Sequence, residues 1–69
     1  MTFGEAKTKV GEIAGGAAYG VAYRNLIHSD GETEPTCEVW VMHFDMHSGS
    51  TWAKAIDGLQ IQIDKTRLF

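Results

Sequence analysis

The sequence predicts a single α+β domain over residues 1–69, with a helix, a three-stranded antiparallel sheet and a second helix arranged in two layers (α-β-β-β-α). Three observations carry this reading. An apolar stripe recurs at three- and four-residue intervals near the N-terminus, the middle of the chain alternates with period two, and a second capped apolar segment closes it.

The first element opens at Thr2. Thr2 and Glu5 form a capping box, in which the hydroxyl accepts from the Glu5 backbone N–H and the carboxylate reaches back. Phe3, Ala6, Val10, Ile13, Ala14 and Ala17 then fall on one side, with Lys7, Lys9 and Glu12 on the other. The pair Gly15-Gly16 supplies a stop, so the spacing predicts a helix over 2–15. Gly11 costs this helix about 1 kcal/mol relative to alanine. With Gly15 it forms a small-xxx-small spacing that brings the helix backbone close to the underlying sheet.

From Ala17 the period changes. Tyr19, Val21, Tyr23, Asn25 and Ile27 alternate with Ala18, Gly20, Ala22, Arg24, Leu26 and His28, as a strand requires. The segment SDGETEPT, rich in turn formers and acids, is a hairpin loop whose acids do not match the ordered ligand positions of a calcium loop. CEVWVMHFD is the strongest strand in the chain, and HSG offers a reversal into STWAKA. The last segment has two readings. Asp57-Gly58 serves as a hairpin turn between strands 51–56 and 59–64, or Asp57 caps a helix with Gln60 completing a capping box and Ile56 stapling to Ile61. The helix is favoured because cap, box and staple coincide in one register.

Composition bounds the function. A chain of 69 residues buries only about 60% of the surface its unfolded form exposes, so help from a metal or a second subunit is expected. The single cysteine, Cys37, excludes an internal disulfide and favours a reducing compartment, with cytoplasm as the expected location. Six basic and nine acidic side chains give a net charge of −3. Without a Lys/Arg cluster, nucleic acid is not an expected ligand. No apolar run is long enough for a signal peptide or a membrane span.

On one face of the second strand lie Trp40, Met42, Phe44 and Met46, large enough to form a core beneath two helices. The other face carries Cys37, Val39, Val41, His43 and Asp45, where a half-solvated strand normally shows polar residues. This second face is expected to be a protein interface, formed by Cys37, Val39, Val41 and His43. Tyr19, Val21 and Tyr23 of the first strand extend it. A symmetric homodimer or another protein would cover it; singly exposed aliphatic residues are the plainer alternative. The spacing of His43, Asp45 and His47 places three candidate metal ligands on one side of an extended strand, with a polar sheet rim as the competing reading. No convergent acid, base and nucleophile and no phosphate-binding loop is found, so neither catalysis nor a cofactor is expected.

The order helix-strand-strand-strand-helix resembles the topology of a double-stranded RNA-binding domain. That family presents a Lys-rich start to its second helix, whereas this chain offers Asp57, Gly58, Leu59 and Gln60, so no functional residue is carried across. EVWVMHFDMHSG followed by AIDGLQIQI is similar in pattern to small orphan accessory proteins of bacteriophages and mobile elements. That resemblance implies a protein-binding role and names no target. The functional expectation is a small protein-binding accessory protein, with a metal-binding protein using the HxDxH strand as the alternative.

Overall fold

The computed structural model describes residues 1–67. The element order is α1 (Phe3–Ala14), β1 (Tyr19–Ile27), β2 (Thr33–Val41), β3 (His47–Gly49) and α2 (Trp52–Arg67), with the strands in the order β1-β2-β3 and all pairings antiparallel. The α-β-β-β-α architecture expected from the sequence is the one observed.

Helix α1 begins and ends where its signals lie. Thr2 is the N-cap with both arms of the capping box made, and Gly15 caps the C-terminus in the left-handed conformation at φ 59°. The Tyr19 ring of β1 lies with its tip on Gly11, where a Cβ would stand 2.8 Å from the hydroxyl oxygen. Strands β1 and β2 are nine residues each, and their loop is shorter than the sequence suggested. The His28 N–H donates to the Glu32 carbonyl, and Gly31 takes φ 90° in a tight hairpin turn. Pro35 therefore lies inside β2, opposite Asn25. It is tolerated because its nitrogen faces away from β1, beyond the reach of β3, which pairs only with Cys37–Val39.

Two boundaries differ from expectation. Strand β2 ends at Val41, and His43 adopts φ 76°, so the chain turns through HFDMH instead of running extended across it. STWAKA starts α2 and is not a strand. Thr51 is its cap, its hydroxyl accepting from the Lys54 N–H at 3.2 Å. The Asp57 capping box does not form because Asp57 is already one turn inside the helix. The helical period of Trp52, Ala55, Ile56, Leu59 and Ile63 joins these residues into one buried stripe.

The expected core face is inverted. Cys37, Val39 and Val41 are 3%, 0% and 2% exposed and lie beneath the helices with Ala6, Val10, Leu59 and Ile63, while Trp40, Met42 and Met46 are exposed. Small and β-branched side chains on β2 let both helices approach closely. The run of large residues looked like a strand face only by counting through the turn at residue 43. Of that run Phe44 alone reaches the core, half-buried against it from the turn.

The molecule is long. Its extents are 47 × 23 × 17 Å and its radius of gyration is 13.1 Å, against about 11 Å for a compact chain of this length. The excess is the outer half of the β1-β2 hairpin, which projects past the helices as a two-stranded arm with no third strand beside it.

Replacing Leu59 by Ala is expected to lower the unfolding free energy by about 2–5 kcal/mol, out of roughly 3–10 kcal/mol for a domain of this size. Ile61→Ala, on the exposed side of the same helix, should change it by less than about 0.5 kcal/mol. Urea unfolding checks both. The Thr2 backbone N–H, and secondarily its hydroxyl, hold the Glu5 carboxyl below its ordinary pKa. The capping box therefore stabilises above the ordinary glutamate pKa and loses that contribution as pH falls through the lowered one. An NMR titration should show Glu5 titrating low, and part-way back toward its ordinary value in Thr2→Ala.

Candidate protein-binding surface

The sheet has one covered and one open face. Residues opposite each other across β1 and β2 share a face, so Gly20 with Trp40, Ala22 with Glu38, Arg24 with Thr36 and Leu26 with Glu34 form the open one. Trp40 sits near the helix-proximal end of this face at 41% exposure, with Met42 at 48% just beyond β2, while Leu26, 56% exposed, lies at the far end on the arm. The indole is seated directly on Gly20, where a Cβ would overlap ring atoms Nε1, Cε2 and Cζ2. Glycine at this position is what allows the largest side chain of the open face to lie flat on the neighbouring strand. Among the described residues the Trp40 indole N–H has no hydrogen-bond acceptor.

Beside it is an ion pair. The Arg24 Nε donates to Glu38 Oε1 at 2.8 Å, and although Arg24 is well exposed, Glu38 is nearly covered. The bridge places a charge-compensated polar patch next to the indole. At the arm tip His28 Nε2 lies 3.2 Å from Glu34 Oε2, while Asp30 and Glu32 add acidic charge.

The interface residues read from the sequence are dispersed by this geometry. Cys37, Val39 and Val41 are core residues of the monomer, and Val21 is half-buried against them. Burial pushes the Cys37 thiol pKa up, so the thiol is held protonated and unreactive. Tyr19 and Tyr23 are exposed on the helix side of β1; Tyr23 lies 6.4 Å from Trp52, which in turn meets Phe3 edge-on at 5.6 Å. His43 is exposed in the turn. The sheet face that the helices leave open is thus the opposite one. Its signal in the sequence was the polar alternation Glu34, Thr36, Glu38 against Cys37, Val39, Val41, together with a glycine facing a tryptophan.

The metal reading also fails on geometry. His43, Asp45 and His47 do not converge, and among the described residues no group of three His, Cys, Asp or Glu side chains is placed to hold an ion. His47 and Asp45 are instead held by Gln62 of α2. The His47 Nε2–H donates to Gln62 Oε1 at 2.6 Å, the Asp45 N–H donates to the same oxygen at 3.2 Å, and Gln62 Nε2 donates to Asp45 Oδ2 at 3.2 Å. The His47 ring packs on Gly58, where a Cβ would come within 3.0 Å of Nδ1. One amide side chain thereby ties the turn that inverts the sheet faces to the second helix.

Gln62→Ala should cost about 0.5–1.5 kcal/mol, because the groups it frees are exposed or only half-buried and water can pair them. It should also raise amide hydrogen exchange at Asp45 selectively over that at Val39. Comparison with protein-family models, with curated proteins and with solved structures finds no match to this chain.

Proposed function

We propose that this is a small protein-binding accessory protein, which docks the open face of its sheet on a partner protein with an apolar centre and a basic rim. The observation that carries the reading is Trp40, a large exposed aromatic held in a fixed pose on Gly20 on the face of the sheet opposite the helices. A tryptophan already ordered before contact gives up little rotamer freedom on binding, and tryptophan and arginine dominate the energetics of protein interfaces. The acids of the arm tip and the net charge of −3 select a basic rim on the partner and disfavour nucleic acid. The likeness in pattern to accessory proteins of bacteriophages and mobile elements supports the same class of activity.

Affinity capture from a host lysate, followed by titration of the identified partner, tests this. Trp40→Ala is expected to weaken binding by about 30-fold or more, with the far-UV circular dichroism unchanged. Ile61→Ala, exposed on α2, should bind as the parent does. Equal binding by the Trp40→Ala protein would remove the open face from the reading.

A further inference from the structure

We infer that β1 pairs through its free edge with β1 of a second copy of this chain, joining two three-stranded sheets into one of six strands. This inference concerns the edge of the sheet and is independent of the open-face reading.

The hydrogen-bond pattern fixes which groups are free. The Met42 N–H donates to the Ala18 carbonyl and the His28 N–H to that of Glu32, both in register with the β1-β2 ladder. In an antiparallel ladder bonded and non-bonded pairs alternate. Gly20, Ala22, Arg24 and Leu26 therefore bond to β2, while Tyr19, Val21, Tyr23, Asn25 and Ile27 aim their N–H and C=O groups outward. Among the described residues nothing accepts or donates at that edge.

Strand edges of this length are ordinarily guarded by proline, bulges, brevity or charge. The edge strand YGVAYRNLI has nine residues, no proline and one charge, and that charge is already paired with Glu38. The other side of the sheet is guarded by brevity, proline and charge. Strand β3 is three residues long, and the stretch of β2 beyond it presents Pro35 between Glu34 and Thr36.

The edge is also self-complementary. A twofold axis at Tyr23 sets Tyr23 against Tyr23, Val21 against Asn25 and Tyr19 against Ile27 of the second copy, and about ten backbone hydrogen bonds close. On the open face the same register lays Leu26 of each copy beside Gly20 of the other, at the margin of the Trp40 ring. No like charges fall directly opposite, since Arg24 meets Ala22 and carries its own Glu38. The arm that carries this edge also leaves the chain with surplus surface. The chain exposes 4798 Å², about 500 Å² more than a compact monomer of its mass, and a standard interface covers about 800 Å² on each partner. Because the outer edges are guarded, the assembly closes at two copies, with both Trp40 faces on the same side.

Sedimentation equilibrium from micromolar to millimolar concentration tests the inference on the full chain. The parent is expected at about twice 7.6 kDa, with slowed amide exchange at Val21, Tyr23 and Asn25. Asn25→Pro removes an N–H that points only outward, so it should give a folded monomer; Tyr23→Lys, at a position 55% exposed, sets like charges directly opposite each other at the twofold axis and supplies the same test should the proline variant not fold. A parent that remains at 7.6 kDa throughout overturns the inference, as does a dimer that survives both substitutions. Trp40→Ala leaves the edge amides intact and should remain dimeric, which separates this result from any loss of partner binding.

Discussion

The fold depends on one junction, where Val10 of α1, Val39 of β2 and Leu59 of α2 are the largest fully buried side chains. Each comes from a different element, and together they hold two helices against the central strand. In so short a chain the core is little more than this contact and its neighbours. Its geometry requires that the covered face of β2 be built from Cys37, Val39 and Val41. Bulkier side chains there would hold the helices off the sheet and leave voids between them.

That requirement displaces the large residues. Trp40 cannot enter the narrow space under the helices, and on the other face it finds a place only because Gly20 leaves room on the neighbouring strand. The turn at His43 then keeps Met42 and Met46 outside and returns only Phe44 to the core. Gln62 and Gly58 secure this turn against α2, so the identity of the open face is set by a clamp some distance from the face itself. The same economy leaves the outer hairpin without cover, because sixteen residues of α2 and three of β3 lie over only one end of the long β1-β2 pair. An exposed aromatic face and an unguarded strand edge thus follow from a core too small to shelter them.

Several features were legible in the residues. The capping box at Thr2 and Glu5, the glycine stop at Gly15 and the period-two run from Tyr19 to Ile27 are local signals, and each formed as written. The signals at Asp57 were also local, but a stronger one lay upstream: Thr51 and the spacing of Trp52, Ala55, Ile56 and Leu59. The expected HxDxH ligand set depended on continuing β2 to residue 47, and no short-range pattern announced that His43 would take a positive φ. Reading the interface from Val39 and Val41 failed for a related reason. Alternation reports that a strand has two faces, and it does not say which of them the helices choose.

The sequence by itself determined the element order, the ends of α1 and the pairing of two long strands, because caps, turns and periodicity act over a few residues. Only the tertiary structure decided which face of β2 is core, where that strand stops and which residues are left on the open face. Those outcomes depend on how closely two helices can approach the sheet and on Gln62 reaching the turn from α2, and both are set by groups far apart in the chain.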